Sequence, residues 1–152
     1  MPHRADIDPI TRLYISRSKV ARRQILNEEE VFNCLSEFGF TRIYLEDYNL
    51  ATQISLLSNA EIIVAPHGAG LTNLVWCNST ARVLEIFSPN YINICFWAIA
   101  NQIGMEYFYL IGDNEKAPDY LSRSNFNKED IFVPIKRLYL SLNMLLNDTN
   151  NS

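Results

Sequence analysis

The sequence is poor in most of the residues that announce a chemistry. Its 152 residues include two histidines, three cysteines and five glycines. His3 and His67 alone cannot build a histidine-rich metal site, and there is no H-E-x-x-H motif, no G-x-S-x-G elbow and no P-loop lysine motif. Cys34, Cys77 and Cys95 are odd in number, widely spaced and without a C-x-x-C pair, which indicates neither a disulfide framework nor a zinc site and reads as buried thiols. No apolar run approaches the roughly 18 residues of a membrane span, and Met1 to Pro9 is too polar for a signal peptide. Positive charge is also in deficit: 13 basic against 17 acidic residues leave a net charge of −4, which argues against binding nucleic acid by bulk electrostatics. An anionic ligand must therefore be met locally. The default location is cytoplasmic, and a secretory one would need a targeting segment outside this sequence. The sequons at Asn78, Asn147 and Asn150 are too short to establish secretion.

What is present is an ordinary globular composition, 48% hydrophobic and 20% charged, at a length that buries a core without disulfides or a structural metal. Strand-like and helix-like patterns alternate, which predicts an α/β fold: a Rossmann-like, mainly parallel sheet with helices on both faces. Strands are expected at Leu13–Ser16, Thr41–Glu46, Glu61–Ala65, Arg82–Phe87 and Glu106–Ile111. Asn27 is placed as the cap of a helix that opens on Glu28, Glu29 and Glu30 and stops before Gly39. A short helix carries Leu50, Ile54 and Leu57, another runs from Leu71 to Trp76, a longer one from Tyr91 to Ile103 before Gly104, and a last one follows Pro134. Residues 1–11 read as an N-terminal extension, 12–112 as the Rossmann-like domain, 113–133 as an irregular connection, 134–147 as a helix packed on the domain and 148–152 as a tail. In such sheets ligands bind beyond the carboxyl ends of the strands, which singles out Arg17, Glu46, the Pro66–Gly70 loop and Glu85.

Three features there point to chemistry. The turn Ala65-Pro66-His67-Gly68-Ala69-Gly70-Leu71-Thr72-Asn73 concentrates two of the five glycines between a strand and a helix. Glycine permits positive φ and close backbone approach, and a helix starting there offers unpaired N–H groups to a phosphate. His67 at its rim suits a phosphate or a sugar hydroxyl; the plainer reading is a tight turn with a surface histidine. Glu85 interrupts the apolar run Val83 to Phe87, and a carboxylate in a covered strand needs partners. Arg82 points to the opposite face, whereas the vicinal hydroxyls of a ribose would satisfy both oxygens; a partly exposed strand end is the alternative. Arg17, Lys19, Arg22 and Arg23 put four cations in seven residues after the first strand, suited to phosphate oxygens or simply to a solvated loop.

Taken together, these residues resemble the C-terminal half of the glycosyltransferase family 61 catalytic domain. The likeness runs over Arg12 to Gly112 and is carried by Leu13-Tyr14-Ile15-Ser16-Arg17, Ala21 to Glu28, Pro66 to Asn73 and Val83 to Phe87, with Glu46, Gln53 and Ala60 between them. The resemblance implies a two-domain, GT-B type, inverting and metal-independent transferase that needs no cofactor and whose Rossmann-like domain holds a nucleotide-sugar donor, commonly a UDP-sugar. By resemblance, His67, Gly68, Ala69, Gly70 and the following helix hold the diphosphate, Arg17 with Arg22 or Arg23 neutralises it, Glu85 takes the ribose, and Asn73 orients the loop or touches the donor. It also implies a carbohydrate or glycoprotein acceptor and an N-terminal acceptor domain, outside this sequence, that supplies the general base.

Two other readings stand beside it. One is a nucleotide-sugar-binding module without catalysis. The other is an NAD-binding oxidoreductase domain, because Gly68-x-Gly70 and a later acid imitate the dinucleotide fingerprint; Asn73 stands where its third small residue belongs, and the turn follows the third strand instead of the first.

Overall fold

The structure, a computed structural model, describes residues 9–121 and 128–147. His3, most of the N-terminal extension and the tail 148–152 lie outside the described residues.

Runs rich in Ile, Val, Leu and aromatics form five strands: β1 (Arg12–Ile15), β2 (Thr41–Ile43), β3 (Ile62–Pro66), β4 (Arg82–Phe87) and β5 (Glu106–Ile111). They pair in parallel in the order β2-β1-β3-β4-β5, with Leu13 opposite both Thr41 and Ile63 and Ala65 opposite Glu85. The expected parallel α/β architecture is therefore present. Successive residues of each strand feed opposite cores, which is the period of a pleated strand covered on both faces. Leu13, Ile15, Ile63, Ala65 and Val83 pack with α2 (Leu50–Asn59), a 3-10 helix (Ala69–Trp76) and α3 (Cys95–Ile103). Tyr14, Ile62, Val64, Leu84 and Ile86 pack with α1 (Glu28–Glu37) and α4 (Ile135–Asn147).

Several local expectations are corrected. Asn27 precedes α1, but its side chain does not cap it; it pairs in both directions with the Val133 backbone, Nδ2 donating to the carbonyl at 2.8 Å and Oδ1 accepting from the N–H at 3.0 Å. β2 ends at Ile43, and Leu45–Asp47 winds into a 3-10 turn. α3 begins at Cys95 instead of Tyr91, because Ser88 bridges to Tyr91 and the Asn93 side chain accepts from the Cys95 N–H. Leu50, expected in an apolar stripe, is exposed at the first turn of α2. Cys34 and Cys77 are buried, and burial pushes the Cys77 thiol up to about 12, but Cys95 is exposed. Ile131 and Val133, in the stretch read as an irregular connection, are fully buried in the α1 and α4 core.

Candidate functional site: the carboxyl ends of β1 and β3

In a sheet ordered 2-1-3-4-5 the chain leaves the two central neighbours β1 and β3 in opposite directions, which opens a crevice beyond their carboxyl ends. The segment after β1 carries the arginines, and the segment after β3 is the His67–Gly70 loop. Topology thus brings together two features that lie 50 residues apart in sequence, Arg17 and His67.

The Arg17 side chain packs against the loop at Gly68. A Cβ on that residue would overlap the Arg17 guanidinium, so the guanidinium occupies space that only glycine leaves open. Gly68 has φ 172°, ordinary extended backbone, and the described glycines with positive φ are Gly39 and Gly104. The loop glycine is needed for close approach and not for a left-handed turn, which corrects part of the expectation. The helix after the loop is also different: it is wound as a 3-10 helix from Ala69, and the Leu71 N–H is already bonded to the Gly68 carbonyl at 3.0 Å.

Arg17 also donates to the Arg22 carbonyl, through Nε at 3.3 Å and Nη2 at 3.2 Å. Arg22 contributes that carbonyl, while its own side chain is exposed. Arg23 turns the other way, because its φ of 57° reverses the chain there. Its guanidinium stands 5.0 Å from the Tyr91 ring centroid and 3.8 Å from Glu129, and its buried Nε has no hydrogen-bond partner among the described residues. Partial burial pulls the Arg17 guanidinium below its usual range, the like charge of Arg23 adds to this, and Glu46 only partly offsets it. Lys19, the remaining cation of the run, is taken up by both carboxylate oxygens of Asp47 at 2.8 and 2.7 Å.

His67 is not at the rim. It is 4% exposed, with Phe87, Tyr91 and Phe96 rings 4.9 to 5.5 Å from its own. Its Nδ1 lies 2.6 Å from Glu85 Oε2, and the Tyr107 hydroxyl donates to Glu85 Oε1 at 2.6 Å. Glu85 is 0% exposed, so the expected need for partners is met from within the chain. Arg82, as expected, takes no part: it pairs with Glu106 at 3.3 Å. Asn73 donates to the Gly70 carbonyl at 3.2 Å and so braces the loop. Ala69 contributes the first residue of the 3-10 helix.

The structure therefore gathers Arg17, Arg23, His67 and Gly68, holds Gly70 and Asn73 alongside, sets Glu85 behind His67, and leaves the Arg22 side chain outside. Tyr91 and Tyr107 were not anticipated. The only signal for Tyr107 was its parity: two residues from Tyr109, which stands opposite Glu85, it shares the Glu85 face of the sheet on the neighbouring strand. Beside it, Phe87, Ile92, Ile94, Trp97 and Tyr109 line an open apolar groove of about 560 Å3. Among the described residues no cluster of three His, Cys, Asp or Glu side chains is placed to hold a metal ion, and no helix is long and apolar enough to cross a membrane.

Comparison with known proteins supplies the family. The chain is 28% identical over 110 residues to an EGF domain-specific O-linked N-acetylglucosamine transferase from Drosophila melanogaster, an alignment covering 70% of this chain and 21% of the relative. It is 29% identical over 107 residues to a beta-1,2-xylosyltransferase from Arabidopsis thaliana, covering 62% and 20%. A rice beta-1,2-xylosyltransferase is 34% identical over 70 residues, covering 45% and 12%. The chain thus spans about a fifth of the length of the first two relatives. The glycosyltransferase 61 family profile matches residues 1–84. That range corrects the placement made from the motifs: the match lies in the N-terminal part of this chain, includes the segment read as an extension, and stops one residue short of Glu85. The arginine segment and the His67–Gly70 loop both precede that limit, whereas the β4 run is an apolar pattern that any buried strand would show. On a match over more than half its length, and on the α/β architecture beneath it, this chain belongs to glycosyltransferase family 61.

Proposed function

We propose that the chain binds a nucleoside-diphosphate sugar, with a UDP-sugar as the donor, at the carboxyl ends of β1 and β3, for metal-independent, inverting transfer to a carbohydrate or glycoprotein acceptor. The observation that carries this reading is the Arg17 guanidinium packed against Gly68, with a second partly buried guanidinium on the same segment, Arg23, whose Nε has no hydrogen-bond partner among the described residues. Planar guanidinium groups match phosphate oxygens in pairs. In this reading Arg17 and Arg23 take the diphosphate, the loop from His67 to Gly70 forms its floor, and Asn73 keeps that floor in place. The names of the relatives make N-acetylglucosamine and xylose the sugars to try first. Both Glu85 oxygens are engaged, so Glu85 acts through His67 rather than on the ribose. No residue of this chain is assigned as the general base.

Calorimetric titration with UDP, UDP-N-acetylglucosamine, UDP-xylose and NADH tests the reading. Saturable UDP binding that Arg17→Ala weakens supports it. Binding of NADH alone would favour the oxidoreductase reading, and no binding of any nucleotide by the folded chain would sink the proposal.

A further inference from the structure

His67, Glu85 and Tyr107 form a chain of hydrogen bonds with a defined direction. Tyr107 stands opposite Val83 in the register of β4 and β5, which makes it the diagonal neighbour of Glu85 on the same sheet face. Its hydroxyl donates to one oxygen of Glu85, and the other oxygen faces His67 Nδ1, each at 2.6 Å. Glu85 has no exposed surface, so these are the bonds that make its burial tolerable. A carboxylate accepts and does not donate, so the proton between the two residues sits on His67 Nδ1. In water a neutral imidazole prefers its proton on Nε2; Glu85 holds this ring in the opposite form. Phe87, Tyr91 and Phe96 around the ring oppose a flip that would exchange the two nitrogens.

The nitrogen left to a ligand is then Nε2, which in the neutral ring carries a lone pair and no proton. A phosphate oxygen also offers only lone pairs, and cations for it are already supplied by Arg17 and Arg23. A hydroxyl has a proton to give. We infer that His67 Nε2 accepts a hydrogen bond from a ribose hydroxyl of the donor, and that Glu85 and Tyr107 are positioning residues that hold the imidazole in the accepting form. The inference rests on the donor-binding reading and narrows it, because it removes His67 from the groups that contact phosphate.

The chain has only two histidines, so His3→Ala leaves a single imidazole to observe by nitrogen-15 NMR. At pH 7.5 the free protein should show Nδ1 protonated and Nε2 not. Glu85→Gln, nearly isosteric, should shift protons toward Nε2, and Tyr107→Phe should do so less. His67→Ala and Glu85→Gln should each weaken UDP by about tenfold and inorganic pyrophosphate by less than about twofold, the scale of one hydrogen bond lost to a hydroxyl only. An imidazole protonated on Nε2 or on both nitrogens overturns the inference, as do equal losses for the two ligands. If the wild-type protein shows the Nδ1–H form but binds neither ligand, the donor reading itself has failed and the ligand role goes with it.

Discussion

Two polar clusters grow from the end of β1, and they are built in opposite ways. In the first, Glu28 is the centre: the Tyr14 hydroxyl donates to it at 2.9 Å, the Ser16 hydroxyl donates to the same oxygen, and Arg42 lies 3.6 Å from the other. Arg42 also reaches Glu29 at 2.7 Å. Burial, and then Glu28, push the Tyr14 hydroxyl well above its usual range, so it stays a donor. In the second cluster Lys19 is paired with Asp47 and Arg23 lies 3.8 Å from Glu129, while burial and then the like charge of Arg23 lower the Arg17 guanidinium and Glu46 only partly offsets them. The first cluster is matched within the chain and fastens α1 and β2 to β1. In the second, Arg17 lies on a glycine loop and hydrogen-bonds a backbone carbonyl instead of a carboxylate. The first cluster holds the fold together; the second is the one that the proposed donor site draws on.

Substitutions can break that contrast. The largest effect is expected from Arg17→Ala, which should weaken UDP binding by about 2–3 kcal/mol, the range of hydrogen bonds to charged groups, with little change in thermal stability; calorimetry and a melting curve on the same sample check both halves. Arg23→Ala should follow at about 2 kcal/mol for UDP and much less for uridine, and equal losses would show that Arg23 does not contact phosphate. For the matched cluster the signs reverse. Glu28→Gln should lower folding stability by about 1.5 kcal/mol while leaving UDP affinity unchanged, and a binding defect in denaturant-stable protein would erase the distinction between the clusters. Gly68→Ala sharpens it further: the new Cβ displaces only the end of a flexible side chain, from extended backbone. It should cost about 1.4 kcal/mol, or tenfold, in UDP affinity and leave the melting temperature in place. The smallest change is Gly104→Ala, where φ is 84° and nothing crowds the site; it should destabilise by about 1 kcal/mol with no effect on binding.

Much of this was legible in the sequence, and the failures have physical causes. The β3, β4 and β5 runs are dense in apolar residues and bounded by polar ones, so their identity and parallel character followed from pattern alone. Gly39 and Gly104 were readable as helix stops, and both have left-handed φ. Neighbouring residues were harder to separate: Arg22 and Arg23 are equivalent as letters, and only the φ of Arg23 sends one side chain inward. Asn27 reads as a cap, but a backbone partner 106 residues away, Val133, outcompetes the helix for its side chain. Glu85 was correctly suspected of needing partners. That its partners are His67 and Tyr107 depends on which strands lie side by side, which spacing in one sequence does not encode.

The sheet order also governs how the chain reaches this state. Every strand pair is parallel, and β1 finds β3 only by closing a segment of 50 residues, from Leu13 to Ile63. α1 is covered by α4, the last described element, so half of the core has no lid until that helix arrives. Among the described residues no hairpin is available to seed the sheet. Assembly therefore depends on distant encounters, which places the chain among slow folders whose bare apolar strands must be kept from one another while they wait.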